Sequence, residues 1–593
     1  MATIPRQAKI PPTTIDMFLG LNEDSSGDTQ LKPGESPNMI NYRITENYKL
    51  RKRNGYTQRF SSMGSFDIQG MWFGELAGAF RFIFAANGNV YNHNLNNGAN
   101  TSLGVITNSR TFFFAFGGKL YIMNGYEYKS YDGTTFGDVV GYVPLIATVT
   151  PPAGGGVENE GINLLTGKKR QRFSADGTAT AYQLAETSVD SVDSVYVNGV
   201  LKTVTTDYTV NLTTGVVTFV TAHSTGVDNV EIAWTKGTGD RSAVAGMRFA
   251  MLYGGANDTR VFIYGDGSNR YRYSGLADGV PSADYFPATY YREISASQYA
   301  VTAIVRQYDR LLIFNDGGEA WYSYYEPITI DGNTVPDFPT YTLNQAKGNV
   351  AMGQAVLINN NPYTLFQGVQ EWVATNVRDE RNVSYISRRV QQTLDNINLA
   401  TAITVDWERL GELWICFDNT AVIYNYRLDV WYKFRLSHNI SCLFVADNDL
   451  YFGTDNGQIM KFDDEDRSDN GSPISSYWEM GFYSFDAEYL RKFINEMWIS
   501  LKPEDLSSVR ISYQTERSIP ARSYEAVYNV ASFANMDFSD FSFNVNYNPQ
   551  PFRFKIKAKK FVYFKLILEN DKLTDNLTVL SINLAARFGS KAR

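Results

Sequence analysis

The feature that most constrains the fold is a short pattern that recurs along the chain. In each copy, an apolar and aromatic run is followed by a turn of Asn, Asp and Gly residues and then by a second such run. Asn-Gly and Asp-Gly readily take the positive φ angles of tight turns, so each copy predicts a β-hairpin. The copies lie at 81–94, 119–133, 260–275, 310–324, 363–373, 412–426 and 449–462.

The spacing of these hairpins predicts the architecture. Equivalent positions in successive copies lie 37 to 53 residues apart, except for one interval of 141 residues. Leaving out the 95 residues of 151–245 reduces the long interval to 46 residues. A repeat of this length is typical of a β-propeller blade with four strands. We therefore predict an all-β fold built on a β-propeller of about six to eight blades, one of which the two ends of the chain could complete, with other all-β folds as the alternative.

The rest of the chain reads as additional β modules. Tyr, Phe and Trp make up 14% of the residues, and such residues favour strands. Segment 151–245 follows a Pro/Gly-rich break and predicts a small inserted β-sandwich, and 463–473 is an acidic, turn-rich stretch that predicts a solvated linker. The predicted organisation is an N-terminal extended platform segment (1–60), a first propeller part (61–150), the insert (151–245), a second propeller part (246–462), the linker (463–473) and a C-terminal β-sandwich or jelly-roll domain (474–593).

The charge is uneven along the chain. The net charge is −8, yet 551–593 holds ten Lys and Arg residues against three acidic ones, which leaves 1–550 with about −15. An acidic body with a basic end suggests a directed electrostatic arrangement, although a solvated charged surface is the simpler explanation.

The sequence offers little material for catalysis. Two cysteines exclude a disulfide-stapled scaffold and a multi-cysteine zinc module, and His93, His223 and His438 lie far apart in the sequence. No GxSxG, HExxH, GxxxxGK[S/T] or CxxC motif occurs, and Cys416 and Cys442 lie in strand-like runs that predict buried, inert thiols. We predict no enzyme, no cofactor and no metal site. A carboxylate pair for glycoside cleavage stays open, because its members need not be close in sequence.

Two basic regions are candidates for contact with a phosphate or an acidic partner. In 42–60 the basic residues are interleaved with tyrosines, and in 552–560 they alternate with apolar residues, which places them on one face of a strand. The alternative is a solvated strand edge, where basic residues discourage aggregation. The candidate partner-contact residues are Arg43, Lys49, Arg51, Lys52, Arg53, Arg59, Arg553, Lys555 and Lys557.

No run approaches the roughly 18 to 20 apolar residues of a membrane span. The first residues, MATIPRQAKIPPTTIDMF, contain no apolar core typical of a secretory signal, so we expect synthesis and folding in a cytoplasm.

The opening segment 15–56 resembles the N-terminus of one family. Its elements G-L-N, L-K-P-G-E-S-P-N-M-I-N and L-R-K-R-N-G-Y are similar to those of podovirus-type phage tail nozzle proteins (tail tubular protein B, or tail hub). Segment 194–219 resembles a small β module common in phage tail and fibre proteins. Together the two matches cover about a fifth of the chain.

The resemblance implies a virion protein of the phage tail, made in the host cytoplasm and without catalysis. Such proteins form a sixfold ring, a homohexamer, below the adaptor ring. They extend the DNA channel, retain the genome and conduct double-stranded DNA during ejection, and tail fibres are further partners. An acidic lumen suits this role because it repels phosphate. By analogy, 38–56 and the C-terminal domain lie near the adaptor, and loops 276–300 and 325–348 are candidates for narrowing the channel.

Two rival functions remain open at this point. A receptor- or glycan-binding tail protein would use exposed aromatic residues, with Trp321, Trp372, Trp414 and Trp431 as candidates, although tryptophans in strands usually belong to the core. A polysaccharide-degrading propeller would need a carboxylate pair.

Overall fold

The computed structural model describes residues 12–24, 31–255, 257–330, 333–374, 383–504, 506–517, 523–529 and 548–591. Strands account for 54% of the residues and helices for 3%. The chain is therefore all-β, as predicted.

All seven predicted hairpins are present as antiparallel strand pairs. In the first five copies the pair forms the middle two strands of a four-stranded sheet, and in the last two copies the same four-strand arrangement is part of a nine-stranded and a six-stranded sheet. In the first hairpin, Asn87 (φ 49°) and Gly88 (φ 68°) form the turn, both in the left-handed region that such turns require. The repeated unit is thus the four-stranded blade of a β-propeller, and seven copies are found in the described part of the chain.

We number these sheets in chain order. Blade 1 contains Ile68–Leu76, Ala79–Ala86, Asn89–His93 and Asn100–Val105, and blade 2 contains Phe112–Phe116, Lys119–Met123, Tyr128–Tyr131 and Phe136–Asp138. Blade 3 contains Phe249–Tyr253, Arg260–Tyr264, Arg270–Tyr273 and Tyr291–Glu293, and blade 4 contains Val301–Gln307, Arg310–Asn315, Ala320–Tyr324 and Thr340–Asn344. Blade 5 contains Val356–Ile358, Asn361–Leu365, Val369–Trp372 and Val383–Tyr385, and blade 6 contains Ile403–Trp407, Glu412–Phe417, Thr420–Asn425 and Val430–Arg435. Blade 7 contains Ile440–Ala446, Asp449–Thr454, Ile459–Phe462 and Tyr56–Phe60.

Blade 7 is completed by a strand from near the start of the chain. Tyr56–Phe60 pairs antiparallel with Ile459–Phe462, so that Tyr56 lies opposite Phe462. The pairing satisfies backbone groups that an edge strand would leave open. The expectation that the two ends of the chain complete one blade holds for the N-terminal side only, because the partner strand ends at Phe462 and 131 residues follow it.

The chain divides into two compact units. Unit 1 comprises Met1–Ile68, Tyr363–Val373 and Val383–Arg593, and unit 2 comprises Gln69–Pro362 and Ala374–Asn382. Aromatic side chains fill much of the core of unit 2. In blade 2, for example, the ring of Tyr121 stacks on Phe114 with centroids 5.1 Å apart and on Tyr128 at 5.6 Å.

The insert, in unit 2, has its own core, in which Phe173, Tyr182 and Trp234 are fully buried. Its first sheet contains, in spatial order, Val157–Glu158, Leu145–Thr150, Lys168–Ala175, Gly226–Thr235, Ser191–Val197 and Val200–Leu201. Its second sheet contains Ala181–Gln183, Val216–Phe219 and Tyr208–Asn211. The predicted start at residue 151 is too late, because Leu145–Thr150 pairs in parallel with Lys168–Ala175 and so belongs to the insert.

The C-terminal part of unit 1 contains two sheets, to which the N-terminal segment contributes strands. The first sheet, called here the terminal sheet, contains in order Tyr42–Ile44, Leu50–Lys52, Thr578–Lys591, Leu490–Leu501 and Gln550–Phe561, with Thr13–Ile15 also paired to Thr578–Lys591. The second sheet continues blade 6 through Asn38–Ile40, Ser476–Glu479, Phe564–Asn570, Leu506–Thr515 and Ser523–Asn529. The N-terminal segment is therefore not a separate extended platform, because its strands need these partners to satisfy their hydrogen bonds.

The remaining elements are short. The helices are Ser242–Ala245 and Gln391–Asp395, with 3-10 turns at Arg388–Val390, Leu399–Thr401 and Glu408–Leu410. The other strands of the described residues are Gly20–Leu21, Glu35–Ser36, Leu276–Ala277, Val280–Pro281, Glu326–Ile330, Asn333–Asp337, Ser468–Asp469 and Ser472–Pro473. The two predicted channel loops thus each contain a small hairpin, although 331–332 in the second loop lie outside the described residues.

Candidate functional site

The basic N-terminal segment contains two cations that are buried inside unit 1. Arg53 is 2% exposed and donates from Nη1 and Nη2 to the two carboxylate oxygens of Asp469, at 2.7 and 2.6 Å. Lys52 is 1% exposed, and its Nζ donates to the side-chain oxygen of Asn570 at 2.7 Å. These two residues were predicted as partner contacts, but in this chain they bind internal groups and do not reach the surface. The prediction of a solvated linker at 463–473 is wrong at Asp469, which is buried.

Arg43 takes part in a second internal cluster. Its guanidinium lies 3.1 Å from the carboxylate of Glu412, which is buried in blade 6. The same carboxylate accepts hydrogen bonds from the Tyr432 hydroxyl and, at 2.9 Å, from the indole N–H of Trp414. Burial and the nearby Glu412 charge raise the pKa of Tyr432 well above its ordinary value, so the phenol stays a donor. The positive charge of Arg43 thus balances a buried carboxylate.

The other three cations of the N-terminal segment are not alike. Lys49 donates to the backbone oxygen of Asp16 at 2.6 Å and is half-buried, as is Arg51. Arg59, in the last strand of blade 7, is exposed. The segment therefore does not present the single basic patch that its sequence suggests, and partner contact stays a prediction for its accessible residues.

The C-terminal basic strand behaves differently. In Gln550–Phe561, the side chains of Arg553, Lys555 and Lys557 are all exposed, while Ile556 and Ala558 between and beside them are buried. The predicted placement of these cations on one face is confirmed. Lys559 continues the alternation and is exposed as well. Lys559 was not among the predicted contact residues, although its spacing from Lys557 was a sufficient signal.

The neighbouring strand adds aromatic rings and one acid to the same face. In the strand register, Trp498 lies opposite Arg553, Glu496 opposite Lys555, and Phe493 opposite Lys559. On its other side, Phe493 lies opposite Arg587 of the strand Thr578–Lys591. Trp498 and Phe493 are half-buried. We call this surface, made of Arg553, Lys555, Lys557, Lys559, Arg587, Trp498 and Phe493, the basic face.

One carboxylate, that of Glu496, lies beside the cations of the basic face. Glu496 accepts a hydrogen bond from Arg553, and this bond, helped by the charges of Arg553, Lys555 and Arg587, lowers the pKa of its carboxyl group. A carboxylate that is stabilised in this way indicates a positive local potential. The basic face can therefore attract an anionic group or an acidic protein surface. Nothing in the sequence marked Glu496 or Trp498, which come close to the basic strand only through pairing.

The features expected of catalytic or sugar-binding sites fall largely in the core. Trp372, Trp414 and Trp431 are 0–1% exposed and thus closed to a sugar, whereas Trp321 is half-buried. Cys416 and Cys442 are free and buried, as predicted, and burial raises the pKa of the Cys416 thiol.

Among the residues that the structure describes, no group of three or more His, Cys, Asp and Glu side chains is placed to hold a metal ion. In these ranges no helix has both the length and the apolar character needed to cross a membrane.

Comparisons with known proteins assign no family. No protein-family model and no curated protein matches the chain. Among solved structures, BamB from Moraxella catarrhalis has 10% identity and a TM-score of 0.32, with 69% of this chain and 97% of that chain covered. Sqt1 from Saccharomyces cerevisiae has 7% identity and a TM-score of 0.33, with 69% and 99% covered. The exo-beta-1,3-galactanase Pc1,3Gal43A from Phanerochaete chrysosporium has 7% identity and a TM-score of 0.19, with 56% and 94% covered. Similarities this weak carry no argument about function.

Proposed function

We propose that the chain is a structural protein of a phage tail, of the nozzle kind. Six copies form a ring below the adaptor ring, extend the DNA channel, retain the packaged genome and conduct it during ejection. The observation that carries this proposal is the use of the opening segment, whose sequence resembles that of nozzle proteins. Its strands join the propeller blades to the C-terminal sheets and contribute to the sheet that exposes the basic face.

The pairing of the opening segment supports a load-transmitting role. Ile40 pairs with Lys433 of blade 6 and with Tyr477 of the C-terminal part, so that one short strand links the two. Farther along, Tyr56 pairs with blade 7. The segment contributes strands to the terminal sheet, to the sheet that continues blade 6 and to blade 7. Backbone hydrogen bonds in these three sheets therefore hold the C-terminal part to blades 6 and 7. Such rigidity suits a protein that must withstand the pressure of a packaged genome.

The charge distribution supports a conduit with a separate docking surface. The acidic body repels phosphate, which lets DNA slide, while the basic face offers an adaptor ring or another acidic partner an attractive surface. In this proposal the chain has no catalytic role, and tail fibres are additional partners. Three of the four tryptophans that were candidates for sugar binding are buried in the core, which disfavours the rival function.

The mass of the assembled species tests the proposal. The purified chain is analysed by size-exclusion chromatography with light scattering, alone and with the adaptor protein encoded beside it. We expect a sixfold species that forms or becomes more stable when the adaptor is present. A chain that stays monomeric and ignores the adaptor at all concentrations contradicts the proposal.

A further inference from the structure

Within the described residues, most cations of the basic face have no ion-pair partner. Arg553 has Glu496 as a partner, but Lys555, Lys557 and Lys559 form no ion pair within the described ranges. All three are exposed on a strand at the edge of the terminal sheet, so their spacing is fixed by the backbone. A row of unpaired cations on a rigid strand is a ready surface for an anionic partner.

The aromatic residues favour a protein as this partner. Trp498 lies between Arg553 on one side and Asn583 on the other. Trp and Arg are among the residues most enriched where binding energy concentrates in protein interfaces, whereas contacts with a DNA backbone come from cationic and polar groups and do not require Trp. A protein partner would cover the half-buried Trp498 ring and place its carboxylates against the lysines.

An acidic turn with complementary properties lies elsewhere in unit 1. We define it as residues 463–466, in which Glu465 is exposed and Asp463 and Asp466 are half-buried. Burial and the repulsion of Asp463 and Glu465 raise the pKa of Asp466, and its Oδ2 has no hydrogen-bond partner among the described residues. Asp464 is occupied by Arg409 at 2.6 Å. The turn thus holds like charges that an incoming cation would stabilise.

The basic face and the acidic turn are associated with different strands of the terminal sheet. Gln550–Phe561 is one edge strand of this sheet. Leu50–Lys52 is the second strand from the other end of the strand order, and Asn54, which follows it, donates to Asp464 of the turn at 3.0 Å. Both patches belong to one compact unit, so each copy offers a positive and a negative surface at fixed positions. Two different patches that meet head to tail build a ring when the rotation closes.

We propose that the basic face of one copy docks on the acidic turn of the next copy. Lys555, Lys557 and Lys559 meet Asp463, Glu465 and Asp466 of the neighbour, with Trp498 covered at the centre. This inference rests on the proposed function, which requires a ring of copies, and adds the contact that closes it.

A charge swap tests the contact. The face variant is Lys555→Glu/Lys557→Glu/Lys559→Glu, and the turn variant is Asp463→Lys/Glu465→Lys. Each variant alone brings like charges together, and we expect its half-assembly concentration to rise on the order of 100-fold. An equimolar mixture should assemble again, because every contact in an alternating ring then joins opposite charges. Masses are measured by light scattering, with adaptor added if the wild-type chain requires it.

The control has the same charge change elsewhere. Lys119→Glu/Lys168→Glu/Lys202→Glu, in unit 2, should assemble like the wild-type chain, and thermal unfolding should show that every variant is folded. Assembly of the face variant at wild-type concentrations overturns the proposal, and so does failure of the folded mixture to recover. A face variant that assembles normally but no longer binds duplex DNA of random sequence also overturns it and assigns the face to DNA.

The outcomes separate this contact from the nozzle function. Rings that form without regard to the adaptor, and that the charge swap disrupts and restores, support the contact and contradict the nozzle proposal. Binding of the adaptor that is lost in the face variant, with ring assembly intact, supports the nozzle proposal and overturns the contact.

Discussion

The two basic regions of this chain are both rich in Lys and Arg, but they differ in how many of these side chains are buried. In the N-terminal segment, Arg51, Lys52 and Arg53 are consecutive, whereas in the C-terminal strand Arg553, Lys555 and Lys557 alternate with apolar residues. Successive side chains of a strand point to opposite faces. Consecutive cations in a strand with one buried face therefore send one charge inward, here Lys52, and Arg53, just past the end of the strand Leu50–Lys52, is buried as well. Alternating cations can all remain at the surface, as they do here.

The spacing of the cations along the strand, more than their number, decides whether they are buried or exposed. A buried cation must find internal partners, and each one found here comes from far along the chain: Asp469 for Arg53 and Asn570 for Lys52. An exposed row of cations needs no internal partner and stays available. The buried N-terminal cations therefore serve folding, and the exposed C-terminal cations are the ones that we propose for assembly.

The largest expected effect comes from breaking the buried ion pair. Arg53→Met leaves Asp469 charged and buried without its partner, which should lower the free energy of unfolding of unit 1 by about 3–5 kcal/mol. Urea unfolding followed by tryptophan fluorescence measures the change. Adding Asp469→Leu to this variant should recover part of the loss. Near wild-type stability of Arg53→Met would show that the pair is not buried as described.

The second prediction concerns pH. Burial lowers the pKa of Lys52 to about 8, below the 10.5 of an ordinary lysine. Between these values the unfolded chain binds more protons, so the contribution of Lys52 to stability rises with pH. Relative to Lys52→Met, the wild-type chain should gain about 2 kcal/mol between about pH 7.5 and about pH 9.5.

Pairs of urea titrations at the two pH values check this gain, and the variant cancels the contributions of other groups. A difference between the two proteins that does not change with pH would mean that Lys52 titrates normally and is in contact with water.

The smallest effect on stability is expected at the exposed pair. Arg553→Met breaks an ion pair with Glu496 on the surface, and should change the free energy of unfolding by only about 0–1 kcal/mol. Both variants replace an arginine that is paired with a carboxylate, Asp469 for Arg53 and Glu496 for Arg553. The difference between their losses of stability therefore reports the effect of burial. Equal losses of stability in the two would remove the distinction between the regions.

The repeat and the alternation made the hairpins, the blades and the exposed C-terminal row predictable, because both depend on local period. Trp498, Glu496 and Arg587 were not predictable as neighbours, since only strand pairing brings them beside Lys555 and Lys559. The burial of Arg53 was hidden for the same reason, as its partner Asp469 is 416 residues away in the sequence. The turn-rich composition of 463–473 suggested a linker and gave no sign of a carboxylate that must be buried.

Chemical labelling of lysines tests whether the C-terminal cations are exposed and become covered on assembly while Lys52 is buried. Lysines are acetylated briefly in the free chain and in the assembled complex, and the extent of modification at each is read by mass spectrometry. The account predicts that Lys555, Lys557 and Lys559 react quickly in the free chain and become protected on assembly, while Lys52 reacts slowly in both. Rapid modification of Lys52 in the folded free chain, or unchanged reactivity of the three C-terminal lysines on assembly, would contradict it.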